Sequence, residues 1–132
     1  MGDLAVLTGP VIPGRQRGRG LGLPTANLEL DEAVTRELTG AVYAARVRWD
    51  NGPWHQAVVN IGTRPTFDEG GCSVEVHLLD FVGDLYGRSL EVALVARLRA
   101  ERRFDDAGAL VEQVKKDIAE ARAVLARQAG RP

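Results

Sequence analysis

Between Gly14 and Asn27 the chain reads Gly-Arg-Gln-Arg-Gly-Arg-Gly-Leu-Gly-Leu-Pro-Thr-Ala-Asn, with four glycines and three arginines inside the nine residues Gly14–Gly22. Glycine lets the backbone approach a ligand closely and adopt positive φ. Consecutive N–H groups in such a loop form a concavity that suits anions, and arginine adds a forked donor that matches phosphate. Thr25 and Asn27 then offer uncharged oxygens of the kind hard cations accept. In an extended Pro24–Asn27 segment these two side chains share a face. The stretch therefore predicts a phosphate loop built on Gly14, Gly18, Gly20 and Gly22, with a magnesium-binding corner at Thr25 and Asn27. The same composition also suits a flexible loop or a nucleic-acid-binding tail. No Gly-Lys-Ser/Thr follows the glycines, so this is not a Walker loop. Pro24 does not open a helix, so it is not a dinucleotide fingerprint.

Glu75 is the candidate base. It interrupts an apolar strand pattern, on the face opposite Val74, Val76 and Leu78. Partial burial there raises a carboxyl pKa and makes a better proton acceptor; a solvated outward glutamate would read the same way. His77 shares that face, as a ligand neighbour or a rim histidine. Asn60, Arg64 and Thr66 lie where a strand runs into a loop. They could contact a ligand or tie the loop down. Arg97, Arg99, Arg102 and Arg103 surround a later strand-to-helix junction and read first as a solvated charged edge.

The elements that must position these groups follow from periodicity. Leu4–Ile12 reads as a strand with an irregularity at Gly9-Pro10. Residues 26–30 read as a short extended piece, and 31–38 as a short helical turn capped by Asp31. Ala41–Trp49 alternates, with Ala41, Tyr43, Ala45, Val47 and Trp49 on one face and Val42 as the exception. Asp50-Asn51-Gly52-Pro53 turns it into a return strand from Trp54 to Ile61. Ser73–Phe81 and Ser89–Arg99 are further strands, the second with Leu90, Val92, Leu94, Ala96 and Leu98 inward. Leu110, Val114, Ile118, Ala121 and Leu125 then recur at helical spacing. They predict a helix from about Ala107 to Gln128, with Asp105 or Asp106 as its cap. Several antiparallel strands joined by glycine-bearing turns favour a small barrel or sandwich.

Length and charge bound the function. A chain of 132 residues makes one domain, 1–132, with the barrel at about 4–103 and the helix at about 106–128. Its formal net charge is −1, which argues against a general nucleic-acid binder. The single cysteine, Cys72, leaves no intrachain disulfide, and a structural zinc set is missing. No apolar run reaches membrane-spanning length and no signal-peptide pattern opens the chain. The expectation is a cytoplasmic protein acting on small molecules, with no nucleic acid, no membrane and no obligate protein partner.

Taken together, the segments Gly9-Pro10-Val11, Gly18-Arg19-Gly20-Leu21-Gly22-Leu23-Pro24-Thr25-Ala26-Asn27-Leu28, Val42-Tyr43-Ala44, Asn60-Ile61-Gly62-Thr63-Arg64-Pro65-Thr66-Phe67, Glu75-Val76-His77-Leu78-Leu79-Asp80-Phe81, Asp84-Leu85-Tyr86-Gly87 and Leu98–Phe104 resemble, in order, the riboflavin kinase family. The resemblance runs from about residue 4 to residue 122. It implies a mainly β fold, a small six-stranded antiparallel Greek-key barrel with the terminal helix packed outside. It implies Mg2+-dependent transfer of the ATP γ-phosphoryl group to the riboflavin 5′-hydroxyl, giving FMN and ADP. Carried over residue by residue, the metal and phosphate positions fall on Thr25 and Asn27, and the base on Glu75. The flap over the nucleotide falls on Gly14–Gly22, a basic position near phosphate on Arg19, and a position near the flavin on His77. Leu23, Pro13 and Ala41 depart from residues usual in the family, which bears on nucleotide grip and flap motion. An alternative function is a flavin- or nucleotide-binding module without turnover, acting as sensor or carrier.

Overall fold

The computed structural model describes residues 4–12, 26–28, 36–63, 72–81, 83 and 85–129. Among those residues six strands, β1 (Ala5–Ile12), β2 (Ala26–Leu28), β3 (Ala41–Arg48), β4 (His55–Thr63), β5 (Cys72–Leu78) and β6 (Ser89–Ala100), precede an α-helix, α1 (Ala107–Ala129). The strands close into a barrel in the order β1-β2-β5-β4-β3-β6, every neighbouring pair antiparallel. Two Greek keys overlap in that order: β2 lies beside β5 after the β3-β4-β5 meander, and β6 lies beside β3. Among the described residues, closure leaves no sheet edge to pair with another chain.

Alternation fills the barrel. Leu7, Leu28, Ala45, Val47, Val59, Ile61, Val74, Val76, Leu90, Val92 and Leu94 form its interior. At one end Trp49 stacks on His55 at 4.8 Å between centroids, and Phe81 packs edge-on to both. Near the other end the Tyr43 hydroxyl donates to the Leu38 carbonyl at 2.7 Å. The β3–β4 turn places Asp50 and Asn51 at positive φ and closes with Gly52 N–H donating to the Trp49 carbonyl at 2.9 Å. This is the turn sense that follows strand twist, and Asn and Asp tolerate it.

A second cluster lies outside the barrel under α1: Val42, Ala44, Val58, Leu79 and Val95 meet Ala121 and Leu125, with Ile118 packed against them. It explains Val42, the exception in the β3 alternation: both faces of β3 are buried, one by the barrel and one by the helix. Arg46 secures the contact by donating to the Leu125 carbonyl at 2.9 Å. The Asp106 carboxylate accepts from the Ala109 N–H at 2.7 Å, so Asp106 is the N-cap. Asp106→Ala should lower stability by about 1 kcal/mol, read as a lower urea midpoint with an unchanged slope.

Four expectations change. The β1 register runs without a shift from Ala5 opposite Leu94 to Pro10 opposite Ser89. Pro10 therefore causes no irregularity; its missing donor falls opposite the first residue of β6. β5 stops at Leu78, three residues short of Phe81, because Asp80 turns into the left-handed region at φ 57°. In β6 only Leu90, Val92 and Leu94 point inward, while Ala96 and Leu98 pack on the helix side. Register shifts against β3, between Val42 and Tyr43 and between Ala44 and Ala45, insert extra residues in β6, and each one inverts the alternation. Over 31–38 the described part is a single 3-10 turn, Arg36–Leu38; the proposed cap Asp31 lies outside the described residues.

Candidate active site

β2, β5 and β4 run side by side, and one row of opposed residues crosses them. Asn27 pairs with Glu75, and Glu75 pairs with Asn60. Directly opposite residues share a face, with Cβ atoms about 4.5–5.5 Å apart. The neighbours of the row along each strand, Leu28, Val74, Val76, Val59 and Ile61, are buried in the barrel. Asn27, Glu75 and Asn60 therefore face outward, each half-buried. The carboxylate stands between two carboxamides. The row continues over β3 and β6 through Val42, opposite Asn60, to Arg99.

Two features bound this surface. Gly62, on the outward face two residues beyond Asn60, has the Glu101 carboxylate lying against its Cα, and a Cβ there would push that exposed side chain aside. Gly40 holds the strand ends together, donating to the Ile61 carbonyl at 2.6 Å and accepting from the Glu101 N–H at 2.9 Å. On the helix side the Arg99 guanidinium donates twice to Asp117, at 2.8 Å each, and Gln113 adds a third bond at 3.0 Å. Asp117 is 3% exposed. Phe104 packs near Arg102, 4.7 Å from guanidinium carbon to ring centroid, and near Arg99 at 5.9 Å. Arg99 is thus a structural pin rather than part of a solvated edge.

His77 sits two residues along β5 from Glu75, opposite Val58 of the helix-covered cluster. Burial pushes its pKa below the ordinary histidine value. An unfolded histidine takes its proton near pH 6.5, the native one only at lower pH. Between those values the unfolded state holds more protons, so stability falls as pH falls through that window and is unaffected above it. Urea unfolding at pH 7.5 and 5.5 should show a smaller acid loss for His77→Gln than for the wild type.

Of the positions expected to do chemistry, Asn27, Glu75 and His77 lie on one outward face. Gly14, Gly18, Arg19, Gly20, Gly22 and Thr25 lie outside the described residues, as do Arg64 and Thr66. Among the described residues no group of three or more His, Cys, Asp or Glu side chains could hold a metal ion. Of the two positions expected to hold Mg2+, Asn27 offers a hard carboxamide oxygen on this face, and Thr25 lies outside the described residues. Sequence reasoning left Asn60 open between ligand contact and loop tie; the β4–β5 register puts it beside Glu75. It did not find the Arg99–Asp117 pair, whose partners are far apart in the chain and carry no motif. No helix among the described residues is long and apolar enough to cross a membrane.

The family model for riboflavin kinase (flavokinase) matches residues 1–125. A bifunctional riboflavin kinase/FMN adenylyltransferase of Pseudomonas fluorescens is 44% identical over 126 residues, covering 95% of this chain and 40% of that protein. The protein of Bacillus subtilis named RNA-binding riboflavin kinase RibR is 38% identical over 116 residues, covering 87% of this chain and 49% of its own length. The chain thus spans half or less of the length of these relatives. Among solved structures, the riboflavin kinase of Trypanosoma brucei superimposes with a TM-score of 0.69 at 26% identity, covering 91% of this chain and 78% of that one.

Proposed function

We propose that this chain, which belongs to the riboflavin kinase family, transfers the γ-phosphoryl group of ATP to the 5′-hydroxyl of riboflavin, giving FMN and ADP. The observation that carries the reading is the outward row in which Glu75 stands beside Asn27, at the two positions where the family places its base and a metal ligand. The oxygen–phosphorus bond to the 5′-oxygen forms as the bond from the γ-phosphorus to the bridging oxygen breaks, and ADP leaves. Glu75 receives the 5′-hydroxyl proton. Catalysis of this kind is mostly positioning and charge stabilisation, and rigid neighbouring strands supply the positioning. In this reading Asn27, with Thr25, holds Mg2+, whose charge offsets that of the phosphate oxygens when bound. Gly14–Gly22 with Arg19 holds the nucleotide phosphates, and His77 lies against the flavin. Residues 1–132 act as one kinase domain. We place it in the cytoplasm on the strength of its single cysteine.

The test is direct. The protein is incubated with riboflavin, ATP and Mg2+, and the flavins are separated by chromatography. FMN and ADP in equal amounts, abolished by EDTA, are the expected products. Quenched riboflavin fluorescence with no FMN formed would sink the kinase reading in favour of a binding module without turnover.

A further inference from the structure

The Asn60 carbonyl oxygen, Oδ1, is buried and has no hydrogen-bond partner among the described residues. Native structures rarely leave such an acceptor unpaired. Its surroundings explain why the described residues do not satisfy it. Across β3 lies Val42, which is apolar and 2% exposed. Across β5 lies Glu75, a carboxylate, and an ionised carboxylate only accepts. Along β4 comes the bare Cα of Gly62 with the Glu101 carboxylate on it, another acceptor. The described neighbours therefore offer this oxygen no donor, and a ligand that brings a hydroxyl to it would supply one.

We infer that Asn60 is a substrate-contacting residue, whose Oδ1 accepts a hydrogen bond from the ribityl hydroxyl next to the one that reacts. This rests on the riboflavin kinase reading and deepens it. A polyol chain supplies adjacent hydroxyls. Glu75 takes the proton of the terminal one while Asn60, opposite it on the next strand, holds the neighbour. Two anchor points on adjacent carbons fix the rotation about the last carbon–carbon bond and so aim the attacking oxygen. Asn60 thereby selects flavins with a terminal diol over those with a lone terminal hydroxyl.

The experiment compares riboflavin with its 4′-deoxy analogue as substrate, in the wild type and in Asn60→Leu, which keeps the branching of the side chain and removes the acceptor. With riboflavin, Asn60→Leu should lose roughly tenfold to a hundredfold in kcat/KM. The wild type should lose about the same on the deoxy analogue, and the variant should lose little more on it. Without ligand, Asn60→Leu should be at least as stable as the wild type in urea, because an unpaired buried acceptor has been removed; a residue that only ties a loop would lose stability instead. Equal losses of the variant on both flavins overturn the assignment. So does a loss reversed by raising Mg2+, which would put the oxygen on the metal, and so does unchanged kinetics. Asn60→Ala is the second variant if leucine does not fold. If the wild type forms no FMN, the kinase reading fails by itself. Asn60 is then judged by fluorescence titration, where the wild type should prefer riboflavin over the deoxy analogue and the variant should not; the same preference in both overturns it.

Discussion

Glu75→Gln is expected to lower kcat for FMN formation by about 10²–10⁴-fold, the range that a positioned proton acceptor contributes. Glutamine keeps the shape and hydrogen-bonding reach of the side chain but cannot take a proton. The strands on either side are fixed by continuous ladders, from Ala57 opposite Leu78 to Thr63 opposite Cys72 and from Ala26 opposite Val76 to Leu28 opposite Val74. The substitution therefore leaves the row in place. Riboflavin affinity, read by fluorescence, should stay within a few-fold of the wild type. That split between kcat and binding identifies a group used in the transition state. Steady-state assays with FMN chromatography decide it. A variant that keeps more than about a tenth of the wild-type kcat would move the base to another residue.

Asp117→Ala is expected to cost about 1.5–3 kcal/mol of stability, because it removes a buried carboxylate and its charge-assisted bonds, while Arg99, 21% exposed, keeps only its bond to the Ala100 carbonyl. Arg99 loses both of its bonds to Asp117 and Gln113 loses one. The damage falls where α1 is held against β6, beside the cluster of Val42, Val95, Ala121 and Leu125. The double variant Arg99→Leu with Asp117→Leu should recover much of the loss, since two apolar side chains need no partner. Urea unfolding of the three proteins measures this. A loss under 1 kcal/mol for Asp117→Ala alone would mean that the helix is held by its apolar stripe without help from the pair.

The hairpin of β3 and β4 and the helix α1 are legible in the sequence because each carries a clean period and a strong local signal, Asp50-Asn51-Gly52 for the first and the Asp106 cap for the second. The second half of β6 is not. Nothing local in Val95 or Leu98 announces an extra residue; the bulges arise from how β6 wraps against β3. Pro10 misleads for the opposite reason, since a proline is harmless where the ladder ends. At the candidate site, Glu75 and His77 stand out because polar residues break an apolar strand. The family resemblance carries over to Asn27 and Glu75. That Asn60 stands beside them depends on the register of β4 against β5, a long-range property that spacing along one strand cannot give. Arg99 illustrates the same limit: as one of four nearby arginines it reads as solvated, and only the approach of Asp117 from the helix makes it a pin.

The strand order has a consequence in time. β3, β4 and β5 form a meander of sequence neighbours, so Glu75 and Asn60 meet by local pairing. Asn27 joins them only when β2 docks on β5, and the barrel shuts only when Ala5 finds Leu94. Distant pairings of this kind form slowly and late, since a long loop must be closed before any contact rewards it. β2 is also only three residues long. Its amide hydrogens should therefore exchange with solvent well before those of β3 and β4, through openings that leave the meander intact. Of the three polar residues in the row, Asn27 is then the last to arrive and the first to leave, and a nucleotide bound there would slow exchange at β2 before it slowed exchange in the meander.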